Sequence, residues 1–245
     1  PLLCSDLPDN IAASETLGNQ QEVEEIFSNA HHVTRMELIN NRLVGSPLEP
    51  RGLICDIDPD DGKLILHASH QSATRLHGSL CSIFKFQPEQ LRVKVGDVGG
   101  GFGTKVAIYP EDILVVYATK KLNRPIKWTA TRTEEFQASV HGRDHMNVAE
   151  LACDPEGRIQ ALSVKTLANT GAYLINPALL IPLGLMSKVI TSVYDIPSIY
   201  LETRCVLTNT APIGAYRGAG RPEGIYPIER LIDITAREMG IDPVI

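Results

Sequence analysis

The sequence predicts an α+β fold, with mixed β-sheets and helices packed on one face. Three observations carry this. Short runs of β-type residues recur at 32–38, 52–58, 63–69, 91–96, 126–129 and 198–208. Two longer runs, 146–153 and 158–169, flank Asp154-Pro155-Glu156-Gly157, a strong hairpin signal. Apolar residues also fall at helical spacing over 72–84, over 111–122 and in the run that begins at Arg221.

In chain order, residues 1–30 are polar and carry Asn10, Gly18 and a glutamate-rich helical piece at Gln20–Asn29. They read as a linker, with the folded domain occupying 31–245. The strand at 63–69 is followed by the helix at 72–84, so Gln71 falls at a strand-to-helix junction. The strand at 91–96 runs into Asp97-Val98-Gly99-Gly100-Gly101-Phe102-Gly103-Thr104-Lys105. Pro110 precedes the next helix, 126–129 is a strand, and the long hairpin follows. Residues 198–208 form a strand that leads to an arginine-bearing loop. Arg221-Pro222-Glu223 opens the last helix, because Pro suits a first turn and Glu complements the positive end of the helix dipole. Its apolar stripe is Ile225, Ile228, Leu231, Ile232, Ala236 and Met239, and Gly240 stops it. The sequence contains no internal repeat.

A chain of 245 residues can bury a substantial core. A net charge of −6 argues against nucleic acid or an anionic membrane as the main partner. No apolar run approaches the roughly 20 residues of a membrane span; the longest, 178–186, is broken by Pro182 and Gly184. Cys4, Cys55, Cys81, Cys153 and Cys205 share no C-x-x-C spacing and read as buried reduced thiols in a cytoplasmic protein. His31 and His32 point to opposite faces of a strand, His67 and His70 straddle a strand end, and His141 and His145 flank Arg143-Asp144. They read as structural or surface residues, so no direct metal ligand is expected.

The glycine run gives up packing and chain entropy, so something must need its bare backbone. An approaching anion or bulky cofactor is the usual reason. Phe102 in its middle is hard to explain as part of a plain glycine turn, which is the other reading. Neither familiar phosphate motif is met. Thr104 separates Gly103 from Lys105, and Gly99, Gly101 and Gly103 are spaced two and two. The second cluster is Thr208-Asn209-Thr210-Ala211-Pro212-Ile213-Gly214-Ala215-Tyr216-Arg217-Gly218-Ala219-Gly220-Arg221. It places arginines on a glycine-rich bend before a helix, a good setting for an oxyanion donor. The plain alternative is an arginine paired with a surface carboxylate.

Together these segments resemble the large, molybdopterin-binding subunits of the xanthine dehydrogenase, aldehyde oxidase and carbon monoxide dehydrogenase family. Gly99-Gly100-Gly101-Phe102-Gly103 with Lys105 and Tyr109-Pro110-Glu111 is similar to the family's cofactor loop, and Ala215 to Glu223 to its arginine loop. Glu49-Pro50-Arg51-Gly52, Gln71, Arg143-Asp144, Asn169-Thr170-Gly171-Ala172-Tyr173 and Gly240-Ile241-Asp242-Pro243 match in order from about residue 30 onward. The resemblance implies molybdenum held on a pterin, in the cytosine dinucleotide form. Metal-bound hydroxide attacks an electrophilic carbon of an aldehyde or N-heterocycle, and hydride passes to a metal sulfide. Electrons leave through iron–sulfur clusters and FAD on partner subunits, in an oligomer of heterotrimers. By motif position Gln71 resembles the glutamine that bonds the metal's oxo group. Phe102 and Gly103, with Gly101, resemble the border of that oxo and the pterin. Arg217 resembles the active-site arginine, and Gly218 and Ala219 its cofactor-side neighbours.

Departures from the family narrow this. The copper-containing carbon monoxide dehydrogenases carry a cysteine where this chain has Gly218, which cannot bridge to copper. Xanthine enzymes place a Glu where Val106 stands and an Arg where Leu185 stands, so purine oxidation is disfavoured. Ala219 replaces a family aromatic and implies a differently shaped substrate pocket. The family's catalytic Glu and further cofactor-binding residues lie in a C-terminal half that has no counterpart in 1–245. The expectation is therefore the first half of a molybdopterin-binding domain, inactive and molybdenum-free when isolated. The other class of reading is a nucleotide- or phosphate-binding module built on the same glycine loop.

Overall fold

The computed structural model describes residues 2–244. In chain order the first elements are β1 (Ile11–Gly18), α1 (Gln20–Asn29), β2 (His32–Asn40) and β3 (Leu43–Val44). Next come β4 (Gly52–Ile57), β5 (Leu64–Ala68), α2 (Ala73–Phe84), β6 (Leu91–Lys94), α3 (Pro110–Leu122), β7 (Ile126–Thr129) and α4 (Arg132–Ala138). The last are β8 (His141–Gly142), β9 (His145–Cys153), β10 (Ile159–Gly171), β11 (Ser198–Leu207) and α5 (Arg221–Met239). They divide into two compact units, where the sequence shows one continuous domain. The first holds residues up to Leu43, His141–Gly214 and the chain from Gly218; the second holds Val44–Val140 with Ala215–Arg217. The second is thus inserted into the first in chain order, and the Pro/Gly-rich run Gly45-Ser46-Pro47-Leu48-Glu49-Pro50 follows the first junction.

The first unit is built on a five-stranded sheet in the order β1-β11-β10-β9-β2. Its centre is the expected hairpin, with Leu162 of β10 opposite Leu151 of β9, and β10 runs parallel to β11. Strand alternation sends Ala149, Leu151, Cys153, Leu162, Val164 and Leu201 to one face, where they pack with Ile228 and Leu231 of α5. The intervening Ala152, Ala161 and Tyr200 pack with Val23 of α1. Neighbouring strand residues point to opposite faces, so α1 and α5 cover opposite sides of this sheet.

Residues 11–29 are therefore part of the fold and not a linker. β1 pairs along its length with β11, and Asn19 caps α1 by accepting the Glu22 N–H. Ile11-Ala12-Ala13-Ser14-Glu15-Thr16 escapes notice because an edge strand, exposed along much of its length, needs little apolar alternation.

The second unit has a four-stranded sheet in the order β6-β5-β4-β7, with β5 and β6 parallel across α2. Here both major helices lie on one face, as expected. Leu53, Cys55, Leu64, Leu66 and Leu91 meet Leu76 and Leu80 of α2 and Val115 and Val116 of α3. Helix α4, absent from the sequence reading, is opened by a capping box. Thr131 Oγ1 accepts the Glu134 N–H and Glu134 Oε2 accepts the Thr131 N–H. That Thr-x-x-Glu signal was present in the sequence. The apolar run at 178–186 forms a π-helical turn, Ile181–Met186, with Ile181 and Met186 buried.

All five cysteines are unpaired; Cys55, Cys153 and Cys205 are buried, whereas Cys4 and Cys81 are only half-buried. Among the described residues no helix is long and apolar enough to cross a membrane. His145, 1% exposed on β9, has a buried Nδ1 with no hydrogen-bond partner. Burial pushes its pKa down to about 4, with Asp144 pulling upward and Arg143 downward. The unfolded chain binds this proton below about 6.5 and the folded one only below about 4, so the native state loses stability as pH falls through that window. Asp112, raised to about 6 by burial, acts with the opposite sign. The difference between wild type and His145→Gln isolates the histidine. In urea titrations, wild type should lose about 3 kcal/mol more than the variant between pH 7 and pH 4. Parallel pH curves would show that the site accepts the proton at no cost.

Candidate functional site

Gln71 lies between β5 and α2, and both ends of this junction are tied. Ser72 caps α2 by accepting the Arg75 N–H at 3.4 Å, and donates its own N–H to His70 Nδ1 at 2.9 Å. His70 Nε2 in turn donates to the Ala107 carbonyl at 3.3 Å, which fixes a neutral tautomer. Burial, the leading cause, lowers the His70 pKa and favours that neutral ring. The Gln71 N–H donates to the Lys105 carbonyl at 2.8 Å.

The side chain of Gln71 then meets the glycine loop. Its Oε1 accepts the Gly103 N–H at 2.9 Å. A Cβ on Gly101 would lie 2.4 Å from the same oxygen, so only glycine lets the carboxamide lie this close. Gly103, at φ +96°, turns its backbone against the arginine loop, where a Cβ would fall 2.6 Å from the Ala215 carbonyl oxygen. The sequence points to a ligand as the reason for bare backbone here. The structure supplies an internal reason at both positions: the loop packs on Gln71 and on Ala215.

Phe102 has a different environment. It holds φ +51° and remains 42% exposed. A bulky residue in the left-handed region costs on the order of 1–3 kcal/mol, and such strain is retained where the surroundings over-determine it, often at functional sites. This exposed ring fills no core.

Lys105 is 1% exposed, and its ammonium is fully engaged. Nζ donates to the Glu49 carbonyl at 2.7 Å, to Glu49 Oε2 at 2.9 Å and to Ser69 Oγ at 2.8 Å. Glu49 Oε2 also accepts from Ser69 Oγ at 2.6 Å and from the Gly99 N–H at 2.8 Å. Burial raises the Glu49 carboxyl, but these bonds outweigh it and hold it below the ordinary carboxylate value. Farther along, Tyr109 Oη donates to the Thr104 carbonyl at 2.6 Å, and burial pushes that phenol up to about 12, so it stays a donor. Arg51 lies 3.8 Å over the Tyr109 ring and bonds Ser139 and Glu111. Glu49, Ser69 and Arg51 carry no signal of this role in the sequence, since each contact joins residues far apart in the chain.

Arg217 ends the segment Ala215–Arg217 in the same unit as Gln71 and the glycine loop, and is exposed. The structure thus brings Gln71, Gly101, Phe102, Gly103 and Arg217 into one unit. Gly218 and Ala219 belong to the other unit, on the left-handed turn that opens α5, with φ +95° at Gly218, +31° at Ala219 and +90° at Gly220. There Glu223 Oε2 accepts the Gly220 N–H at 2.7 Å, and Oε1 accepts from Arg143 Nη1 at 2.8 Å in a buried ion pair. Arg221 donates to the Gly218 carbonyl at 3.2 Å, so it braces the turn. Asp144, Asn169 and Thr208–Thr210, scattered in sequence, converge on Arg42, whereas Arg143 turns to Glu223. Arg42 bonds Asp144, His141 and Thr210, while Asn169 bonds Asp144 and accepts from Thr208. Among the described residues no group of three or more His, Cys, Asp or Glu is placed to hold a metal directly.

Comparison with known proteins adds to this geometry. A family model described as the molybdopterin cofactor-binding domain matches residues 4–245. The chain is 32% identical over 223 residues to the 6-hydroxypseudooxynicotine dehydrogenase complex subunit gamma of Paenarthrobacter nicotinovorans, covering 90% of this chain and 28% of that protein. It is 34% identical over 230 residues to the carbon monoxide dehydrogenase large chain of Hydrogenophaga pseudoflava, covering 92% and 28%. Quinoline 2-oxidoreductase from Pseudomonas putida 86 superposes with a TM-score of 0.91 at 32% identity, over 97% of this chain and 30% of that one. The chain therefore spans less than a third of the length of each of these three proteins.

Proposed function

We propose, from the premise that this chain belongs to the molybdopterin cofactor-binding domain family, that it serves a molybdenum hydroxylase oxidising an aldehyde or an N-heterocycle. The observation that carries this is the orientation of Gln71. Its oxygen is taken by Gly103, so the end it can offer a ligand is the NH₂ donor. A donor fixed to a rigid loop beside an exposed ring suits an oxo or pterin acceptor. When bound, the molybdenum–pterin group supplies the oxidising equivalents and the incoming oxygen. Gln71, Gly101, Phe102 and Gly103 would hold it. Arg217 orients the substrate through a charge-assisted hydrogen bond.

The phosphate-binding alternative loses its cation, because Lys105 spends its three donors inside the protein. The amides of Gly99, Gly100, Gly103 and Thr104 also donate within the protein. The reading extends to a cytosine dinucleotide form of the cofactor, iron–sulfur and FAD partner subunits, and a cytoplasmic enzyme. Turnover belongs to an assembly that supplies the counterpart of the relatives' additional length. Gly218 excludes a cysteine bridge to copper.

The test is expression of the full-length parent with its partner subunits, followed by molybdenum and pterin analysis. Wild type should hold both, and Gln71→Ala should lower metal content or turnover by roughly 10–100-fold with an unchanged melting temperature. A metal-free wild-type parent, or a Gln71→Ala enzyme equal to wild type in both measures, would overturn the reading.

A further inference from the structure

We infer that Lys105 is a positioning residue, which sets the Gln71 donor and the glycine loop from beneath without touching a ligand. The inference rests on the cofactor reading above. Two routes lead from Lys105 to the site. Through its main chain, the Lys105 carbonyl accepts the Gln71 N–H at 2.8 Å. Through its side chain, Nζ holds Glu49, whose carboxylate accepts the Gly99 N–H while the Glu49 N–H donates to the Gly99 carbonyl at 3.1 Å. Gly99 is thus clipped on both sides, and a Cβ there would lie 2.5 Å from Glu49 Cβ. The other end of the loop is clipped by Gln71 to Gly103. Both clips return to one residue.

The burial makes this arrangement specific. The Lys105 side chain has no exposure, whereas that of Glu49 is 42% exposed. A lysine meant to meet a ligand would keep its head accessible, and a lysine meant only to fill space would not need three oxygen acceptors. An ammonium with each proton on a separate acceptor has one orientation. It transmits that orientation to the Glu49 carboxylate and then to Gly99. Groups that orient a ligand-binding shell in this way commonly change affinity or rate by about 10–100-fold when removed.

The test uses the full-length parent with its partner subunits and three variants. Lys105→Met with Glu49→Gln removes the pair without stranding a charge. Ser69→Ala removes one of the three acceptors and keeps the pair. Leu66→Ala, in the core of the same unit, is matched for lost stability and stands for purely structural damage. The readouts are molybdenum release during dialysis against chelator, and kcat and KM per bound molybdenum. The double variant should release metal roughly tenfold faster and lose kcat with KM held, and Ser69→Ala should shift both readouts in the same direction by a smaller factor. Leu66→Ala should lower the melting temperature but keep wild-type kcat per metal. If the double variant behaves like Leu66→Ala, the positioning role is wrong. If the double variant does not fold, Ser69→Ala decides, and wild-type release and kcat in that variant overturn the inference. A wild-type parent without molybdenum would instead remove the cofactor reading on which it rests.

Discussion

Arg217→Met in the assembled enzyme should lower kcat by about 10²–10³, equivalent to roughly 3–4 kcal/mol, with metal content and melting temperature close to wild type. Arg217 is exposed and ends a segment whose backbone lies against Gly103. Oxidation of an aldehyde or heterocycle by oxygen addition at carbon builds negative charge on the neighbouring oxygen or nitrogen. A cation already in place stabilises that developing charge more than it stabilises the neutral substrate, so its loss falls on kcat. Arg217→Lys should recover only part of the rate, because an ammonium lacks the forked donor geometry. A variant that melts earlier yet keeps its rate per metal would assign Arg217 to structure.

Glu223→Ala should destabilise the fold by about 3–5 kcal/mol, the usual cost of breaking a buried ion pair from one side. Glu223 is 1% exposed and Arg143 5%, so neither group trades its partner for water. The same carboxylate also takes the Gly220 amide at the start of α5, adding the loss of a helix cap. Glu223→Gln, which keeps one acceptor oxygen, should cost less than Glu223→Ala. Chemical denaturation of both variants checks the order. A Glu223→Ala protein within about 1 kcal/mol of wild type would mean that the turn holds itself.

Much of the fold was legible because it follows local rules. The hairpin around Asp154-Pro155-Glu156-Gly157, helix α5 from Arg221 to Met239 and helix α2 after Gln71 are set by turn chemistry, caps and periodic apolar residues. What escaped depends on distant partners. β1 is a strand because β11 is beside it, and its own residues show little alternation. The side of the sheet taken by α1 is decided by the small residues Ala152 and Ala161, which pair with each other across the hairpin but pack against Val23, far away in sequence. At the site, Gln71 at a strand-to-helix junction, the unusual Phe102 and the arginine bend were readable from residue type and spacing. That Gly101 and Gly103 serve close packing, and that Lys105 is buried against Glu49 and Ser69, was not, because a lysine after a glycine run gives no sign of which way it points.

The five-stranded sheet also has a consequence in time. β1 and β2 pair with strands that the ribosome makes much later; β1 waits for β11, roughly 190 residues downstream, or on the order of 10–40 s at usual elongation rates. During that interval Val44–Val140 emerges as one continuous stretch. It holds a whole sheet and its covering helices, so nearly all of the second unit can close while the first is still two early strands without neighbours. Those strands, bearing Val33, Leu38 and Ile39, are the part of the nascent chain that a holding chaperone has most reason to cover.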